Sequence, residues 1–271
     1  MRSLYTRRTE GIPRERYSRE YYLSDCCEGY QEFASGRKVS ALKERLLAKV
    51  DAGPGERVLE LGCGRGEALL ACSERGARAV GIDYSRDAVA LSAETCRGRA
   101  AVLQADAVEL PFRTASFGKV FLGDVLEHLT KRQAERMLAE AYRVIDGGGT
   151  LVLHTSPNVL FIRVVFPWIL LGLLLTGRFS MLRMFVAQYR VIRQLHVREY
   201  SAARLKRLFR RSPFERVVIE CDRDVLRGGK SRYTESLASS PSVRAVAAVV
   251  GREPLVRLFS NDLWVLARKP S

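Results

Sequence analysis

Two patterns of apolar and polar positions alternate along residues 39–154 of the chain. Short apolar runs rich in β-branched residues predict buried strands, and segments between them repeat apolar residues with helical spacing. The predicted strands are Arg57–Leu61, Ala79–Ile82, Ala101–Gln104, Lys119–Leu122 and Thr150–His154. The predicted helices are Val39–Val50, Gly66–Arg75, Ser85–Cys96 and Lys131–Ile145. This β–α rhythm is typical of a doubly wound parallel sheet.

Two more strands are predicted later in the chain, at Glu215–Cys221 and Leu263–Arg268. They complete a seven-stranded sheet, so the predicted fold is α/β, Rossmann-like and mostly parallel. An apolar and basic helical insert at 158–211 follows the fifth strand. We therefore expect a domain over residues 40–271, preceded by an aromatic and basic N-terminal segment at 1–39.

The composition suits a folded protein in a reducing compartment. With 271 residues, of which 47% are hydrophobic, the chain can fill a sizeable core. Its six cysteines include no C-x-x-C pair and it has only three histidines, so the sequence predicts neither a disulfide framework nor a metal site. The charged N-terminus lacks the apolar stretch of a secretory signal. A cytoplasmic location is the expectation.

The formal net charge of +15 is concentrated in the insert. Residues 158–211 contain eleven arginines and lysines but a single acidic residue, Glu199. Such a surplus suits nucleic acid, an anionic membrane surface or an acidic substrate, and charge alone does not separate them.

A glycine-rich turn, GCGRG at 62–66, directly follows the first predicted strand. Glycines at such a turn let a ligand approach the backbone N–H groups. The spacing differs from the dinucleotide fingerprint, which would need glycine in place of Glu67, and no phosphate-binding GK[ST] follows. Asp83, about 20 residues after the turn, is placed to bind two ribose hydroxyls. Capping of the helix that begins near Ser85 is the alternative for Asp83.

Five segments occur in a specific order: VLELGCGRG (58–66), VGIDYS (80–85), QADAVELPF (104–112), FGKVFLGDVLEHL (117–129) and RVIDGGGTLVLHTSPN (143–158). In this order and spacing they resemble the class I S-adenosylmethionine-dependent methyltransferases of small-molecule type, similar to the quinone-biosynthesis methyltransferases. The resemblance covers roughly residues 40–270. One departure is Gly118, where the family usually has an acidic residue.

The resemblance implies S-adenosylmethionine as the cofactor and assigns residues to it. The implied cofactor residues are Glu60, Gly62, Cys63 and Gly64 at the methionine end, Asp83 and the adjacent Tyr84 at the ribose, Asp106 and Ala107 at the adenine, and Asp124 at the border of the methyl-transfer cleft. Three N-terminal residues, Tyr21, Tyr22 and Tyr30, resemble the aromatic lid of some relatives. Plain packing is the alternative for these tyrosines.

Methyl transfer from a sulfonium can depend largely on positioning, so a general base is optional. If the acceptor is a hydroxyl or an acidic carbon, His128 after the fourth strand is our first candidate for the base and His154 at the end of the fifth is the second. Asp124 and Glu127 are further candidates. A role in local hydrogen bonding alone is the alternative for each histidine.

The insert begins with an apolar run, Val159–Gly177, that has the length of a membrane span. Arg163 and Pro167 disfavour that interpretation, and so does the return of the chain to the same sheet. The following segment, Phe179–Val197, predicts an amphipathic helix that lies in a membrane interface. Its predicted apolar face comprises Leu182, Phe185, Val186, Tyr189, Ile192 and Leu195. A substrate cap and a dimer contact are the alternatives.

We therefore expect a methyltransferase that acts on a small-molecule or lipid-linked acceptor, with peripheral contact to an anionic membrane at its cytoplasmic face. A nucleic-acid methyltransferase is the enzymatic alternative. It is disfavoured because GDVLEHL stands where an NPPY-type or Pro-Cys motif would follow the fourth strand. A membrane-peripheral binding module without turnover is the alternative from a different class.

Overall fold

The computed structural model describes residues 11–36, 39–223, 245 and 248–271, except the side chains of residues 188, 191 and 192. Its strands form one sheet in the order β3-β2-β1-β4-β5-β7-β6. The strands are β1 (Arg57–Leu61), β2 (Arg78–Asp83), β3 (Ala101–Gln104), β4 (Phe117–Gly123), β5 (Ile145–Thr155), β6 (Glu215–Cys221) and β7 (Leu263–Arg268). The first five are parallel, whereas β7 runs antiparallel to both β5 and β6. The predicted α/β fold is confirmed.

Helices connect the strands and cover both faces of the sheet. The α-helices are α1 (Arg19–Tyr22), α2 (Tyr30–Ala34), α3 (Ala41–Val50), α4 (Glu67–Glu74), α5 (Arg86–Cys96), α6 (Lys131–Val144), α7 (Phe166–Leu175), α8 (Phe179–Leu195), α9 (Ala202–Phe209) and α10 (Val256–Phe259). Short 3₁₀ turns occur at Arg14–Arg16 and Leu126–His128, and a π-helical turn at Phe161–Val165. Hydroxyl side chains fix several helix starts, among them Ser40 before α3 and Thr130 before α6.

Both faces of the sheet are buried, as the continuous apolar runs of its strands predict. In β4, Val120 and Leu122 belong to the core beneath α6 and α9, whereas Phe121 between them belongs to the core beneath α3 and α4. Successive side chains of a strand point to opposite faces of the sheet, so one apolar run contributes residues to both cores. This arrangement holds the carboxyl ends of the strands in one fixed row.

The connection between α6 and β5 differs from the prediction. The sequence predicts a helix to Ile145 and a strand from Thr150, but the structure has no loop there, and β5 begins at Ile145. The register with β4 shifts within the intervening glycine run. A Cβ atom on Gly149 would lie 2.6 Å from the carbonyl oxygen of Gly118, so this close approach of the strands requires glycine at position 149.

The insert is helical, and its two ends lie next to each other. Asn158 and Tyr200 form an isolated parallel bridge, and the Val159 N–H donates to the Tyr200 carbonyl at 2.7 Å. Between them, α7 and α8 pack together, with the Phe166 ring 5.2 Å from that of Tyr189. The following helix, α9, was not predicted separately within the insert. Within the described ranges, no helix has both the length and the apolar character required to cross a bilayer.

The described part of the N-terminal segment lies against α5. The Arg19 guanidinium forms two hydrogen bonds with the Glu94 carboxylate, and the Arg19 N–H donates to Asp87. Tyr22 packs with Ala88 and Leu91 in a small buried cluster. Residues 1–10 and 37–38 of the predicted N-terminal segment lie outside the described residues.

Candidate active site

A cavity of about 650 Å³ lies at the carboxyl ends of β1, β2, β4 and β5. This is the edge at which parallel α/β sheets place their ligands. Every predicted site residue lines this cavity: Glu60, Gly62, Cys63, Gly64, Asp83, Tyr84, Asp106, Ala107, Asp124, Glu127, His128 and His154. The fold thus brings together residues that lie in five separate sequence segments.

The glycine turn has a left-handed backbone at alternate positions. Gly62, Gly64 and Gly66 have φ values of +73°, +52° and +83°. A Cβ on Gly62 would lie 2.4 Å from Val125 Cγ2, and one on Gly66 would lie 2.4 Å from Ser92 Oγ. Conformation and close packing therefore both require glycine, which explains the alternating spacing.

Glu60 ends β1 with a buried carboxylate beside this turn. Its Oε2 atom is buried and forms no hydrogen bond with the residues that the structure describes. Burial raises the pKa of Glu60 to about 8, against the lowering effect of Lys43. A buried carboxylate oxygen without a partner is the expected counterpart of a cationic ligand group.

Asp83 connects the glycine turn to the start of α5. Its Oδ2 accepts a hydrogen bond from the Gly64 N–H at 3.0 Å, and its Oδ1 accepts one from the Ser85 N–H at 2.8 Å. The Tyr22 hydroxyl lies 3.4 Å from the same Oδ1. Burial raises the pKa of Asp83, while these hydrogen bonds oppose that effect. The helix cap itself is Ser85, whose hydroxyl accepts from the Ala88 N–H, so capping of α5 does not account for Asp83.

Two further predicted residues, Asp106 and Tyr84, lie beyond β3 and β2. Asp106 Oδ1 accepts from the Val108 N–H at 3.1 Å and so forms a tight turn. Tyr84 is exposed, and the Arg14 guanidinium stacks over its ring at 4.9 Å.

A buried charge network occupies the ends of β4 and β5. His154 is fully buried between two carboxylates, with Nδ1 3.0 Å from Asp124 Oδ1 and Nε2 3.2 Å from Asp262 Oδ1. Burial opposes the imidazolium, but Asp124 and Asp262 outweigh it and raise the pKa of His154 well above its usual range. Despite its burial, Asp124 has its pKa lowered to about 2 by His154. The two carboxylates therefore favour the protonated form of His154.

Glu127 lies beside this network but is held differently. The Thr155 hydroxyl donates to Glu127 Oε2 at 2.7 Å. Burial and the charge of Asp124 raise the pKa of Glu127 well above its usual range. Glu127 and Asp124 are thus two buried carboxyl groups in one site, an arrangement that separates their pKa values.

His128 follows in the same 3₁₀ turn, where its Nδ1 lies 2.8 Å from the Leu195 carbonyl oxygen. A carbonyl only accepts, so Nδ1 carries the hydrogen and Nε2 carries the lone pair. Burial lowers the pKa of His128, which keeps the imidazole neutral. The ring centroid of its neighbour His196, which no sequence pattern predicted, lies 5.0 Å away. Burial and His128 together lower the pKa of His196 to about 3. No local motif marks His196.

Aromatic residues from outside the sheet line the rest of the cavity. They come from the N-terminal segment and from the insert, and comprise Tyr17, Tyr21, Tyr22, Phe161, Phe166, Phe185 and Tyr189. Of the three tyrosines predicted to form a lid, Tyr30 does not line the cavity. We call the part formed by the strand ends the sheet side, and the part formed by the aromatic residues with His128 and His196 the insert side.

Arg65 fastens the N-terminal segment to the glycine turn. Its fully buried guanidinium donates to the Tyr22 carbonyl at 2.8 Å and to Glu67 Oε1 at 2.9–3.0 Å. It also donates to the Glu28 carbonyl. Lys43 pairs with the other oxygen of Glu67 at 2.7 Å. The turn and the segment that covers the cavity are thus held by one paired charge cluster.

Comparison with known proteins shows which proteins the chain resembles. Residues 59–153 match the family model described as a methyltransferase domain. The chain is similar to the demethylmenaquinone methyltransferase of Thermobifida fusca, with 35% identity over 116 residues, which are 41% of this chain and 48% of that protein. It is also similar to a probable S-adenosylmethionine-dependent methyltransferase of Mycobacterium tuberculosis, with 37% identity over 127 residues, which are 46% and 43% of the two chains. The chain spans about half the length of such curated relatives.

Solved structures share the fold over nearly the whole chain. A methyltransferase in complex with the Haloferax volcanii activator Trm112 superposes with a TM-score of 0.61 at 19% identity, covering 93% of this chain and 97% of that one. Phosphoethanolamine N-methyltransferase 2 of Haemonchus contortus gives 0.58 at 18% identity, covering 94% and 60%.

The fold is one that solved methyltransferases share, and residues 59–153 match a methyltransferase domain. The Mycobacterium tuberculosis relative is named as dependent on S-adenosylmethionine. The residues present fit that cofactor, because the unpartnered Glu60 Oε2 suits the ammonium of the methionine part, and Asp83 and the glycine turn provide the charged and backbone groups that a ribose and a carboxylate need.

Proposed function

We propose that the protein transfers a methyl group from S-adenosylmethionine to a small lipid-soluble or lipid-linked acceptor at the cytoplasmic face of a membrane. One observation carries the proposal: a single cavity joins the charged sheet side to an aromatic insert side. A charged cofactor suits the first side and an apolar acceptor suits the second. Asp124 lies where the two sides meet.

On the sheet side, we assign each predicted cofactor residue a contact. Glu60 binds the ammonium and the backbone from Gly62 to Gly64 binds the carboxylate of the methionine part. Asp83 accepts from the ribose hydroxyls, with Tyr84 beside it. Asp106 and Ala107 bind the edge of the adenine. The hydroxyl of Tyr22 lies 3.4 Å from Asp83 Oδ1, so a ribose held by Asp83 would lie beside Tyr22.

When bound, S-adenosylmethionine supplies a methyl group on a sulfonium, which is already activated for displacement. We assign the general base to His128, because the Leu195 carbonyl fixes its tautomer and leaves the lone pair on Nε2. His154 is a poor base because it lies between two carboxylates that favour its protonated form. Its proposed role is to position Asp124 at the border of the cleft.

The proposed membrane contact rests on the outer surface of the insert. Part of the predicted apolar face of α8 cannot contact lipid, because Phe185 and Tyr189 line the cavity. The exposed apolar side chains belong instead to α7 and its ends: Val164, Trp168, Leu171, Leu174, Leu175 and Phe179. Trp168 is 70% exposed and Leu175 is 77% exposed. Arginines on the exposed face of α8, such as Arg183 and Arg190, add positive charge to this surface.

The decisive experiment incubates the purified full chain with methyl-labelled S-adenosylmethionine and, separately, with lipid, small-molecule and RNA extracts. We expect label in the lipid extract, and less label with an Asp83→Ala variant of unchanged fold when S-adenosylmethionine is limiting. Label confined to RNA would establish the nucleic-acid alternative. Cofactor binding by calorimetry without label in any extract would favour a binding module without turnover.

A further inference from the structure

We propose that Glu127, His128 and His196 bind a zinc ion on the insert side of the cavity. The candidate ligand atoms of the three side chains lie within 4.8 Å of one another, and all three residues line the cavity. Two imidazoles and one carboxylate are a ligand set that holds zinc and leaves a fourth position open. The sequence predicts no metal site because His196 lies far from Glu127 and His128 in the chain and the three form no spacing motif.

Backbone hydrogen bonds hold the two ligand-bearing segments side by side. The N–H groups of Val197 and Arg198 donate to the Glu127 carbonyl at 2.9 and 3.0 Å. His128 Nδ1 donates to the Leu195 carbonyl at 2.8 Å. A ligating histidine usually donates its second ring N–H to a carbonyl or carboxylate in this way, which orients the ring. The framework that aligns His128 with His196 is therefore already present.

An unpartnered atom points independently to a missing ligand. His196 Nδ1 is buried and forms no hydrogen bond with any residue that the structure describes. Buried polar atoms without partners are rare in native proteins. A metal bond would satisfy this nitrogen, and the nearby carboxylate of Asp124 adds negative charge that favours a cation at this place.

The required rearrangement is small. Ligand atoms of a tetrahedral zinc site, with bonds of about 2.0–2.2 Å, lie about 3.4 Å apart. The observed upper limit of 4.8 Å therefore has to shorten by about 1.4 Å or less. Side-chain rotations of Glu127 and His196 suffice for a movement of this size, with His128 held in place by Leu195.

The predicted consequence is reversible inhibition, and this part of the inference rests on the proposed function. A zinc ion bound to His128 Nε2 occupies the lone pair that the general base needs. Bound zinc would therefore stop methyl transfer, and removal of zinc by a chelator would restore it.

The test uses cobalt(II) as a spectroscopic probe for the zinc site in the chelator-treated full chain. We expect one equivalent to bind with the visible absorption of four-coordinate cobalt, and zinc to displace it. His196→Ala should weaken the affinity for either ion by on the order of 100-fold or more, because it removes a direct ligand. Thermal unfolding of the same variant checks that its fold is intact. If His196→Ala fails to fold, His196→Gln takes its place, because it keeps a side chain of similar size.

A matched control separates this site from binding by a surface thiol. Cys26 is exposed, so Cys26→Ser should leave cobalt binding unchanged. The zinc site is ruled out if the wild type binds no cobalt, if His196→Ala binds as well as the wild type, or if Cys26→Ser abolishes binding. Cobalt binding does not require turnover, so a protein that binds metal but methylates nothing would contradict the proposed function alone. A protein that methylates its acceptor but neither binds zinc nor is inhibited by it would contradict the zinc site alone.

Discussion

The sheet side and the insert side of the cavity meet at Asp124, but their residues come from different kinds of chain segment. The sheet side uses short turns that directly follow strands, such as the glycine turn after β1 and Asp83 at the end of β2. The insert side combines the N-terminal tyrosines, the turn that contains His128, and side chains from α7 and α8. Local sequence therefore determines the first side, whereas long-range packing determines the second.

The largest expected effect tests the network where the two sides meet. Replacing His154 by glutamine leaves Asp124 and Asp262 without their buried cationic partner. We expect a loss of about 3 kcal/mol or more in the free energy of unfolding at pH 6, measured by urea denaturation. His154 is fully buried, so solvent screens its interaction with the two carboxylates only weakly.

The pH dependence of this loss follows from the direction of the two pKa shifts. The raised pKa of His154 gives stability that is fully present below the unfolded value of about 6.5 and is lost as the pH rises toward the folded value. The lowered pKa of Asp124 gives stability that is present above about pH 4 and is lost as the pH falls through about 2. The difference between wild type and variant should therefore be largest near pH 4–6.5 and smaller at pH 9. An equal difference at pH 6 and pH 9 would contradict a charged His154.

His128→Ala tests the insert side. We expect kcat to fall by about 10²-fold or more, because the variant lacks the proposed base, while affinity for S-adenosylhomocysteine changes little. Steady-state kinetics and calorimetry measure the two effects separately. Full turnover with the true acceptor would show that His128 has only a structural role.

Asp83→Ala tests the sheet side. Loss of charged hydrogen bonds to two ribose hydroxyls should cost about 1.5–3 kcal/mol, which is roughly tenfold to a hundredfold in cofactor affinity. Asp83→Asn keeps the side-chain size and should lose less. Cofactor affinity equal to that of the wild type in a folded Asp83→Ala variant would remove Asp83 from the proposed site.

The smallest expected effect concerns the outer surface of the insert. Each basic residue near an anionic surface contributes about 1 kcal/mol, so the double variant Arg183→Gln and Arg190→Gln should lose about 2 kcal/mol of binding to anionic vesicles in a sedimentation assay. The matched control is Arg78→Gln with Arg86→Gln, which removes two exposed charges at β2 and the start of α5. Equal losses for both pairs would indicate an effect of net charge and would argue against a membrane-binding insert.

The contrast between the two sides also explains what the sequence could predict. The strand and helix pattern identified the sheet, and the order of motifs identified Glu60, Asp83 and Asp124 as neighbours in one cavity. The bulge at Gly149 was missed because it depends on a close approach to Gly118 across the sheet. His196 and Asp262 were missed because each acquires its partners only through folding, from elements distant in the chain.

The two ends of the insert are hydrogen-bonded to each other, so the insert leaves and rejoins the rest of the domain at one place. The chain leaves the sheet at Asn158 and returns at Tyr200, where the two residues lie side by side. Asn158 is also anchored to the segment before β7, because its side-chain amide donates to the carbonyls of Arg257 and Ser260. A sequence of different length or character can therefore be exchanged between these two points without altering the strand order or the glycine turn. Under the proposed function, such an exchange would change the acceptor side of the cavity and the Leu195 carbonyl that orients His128, while the residues assigned to the cofactor keep their places.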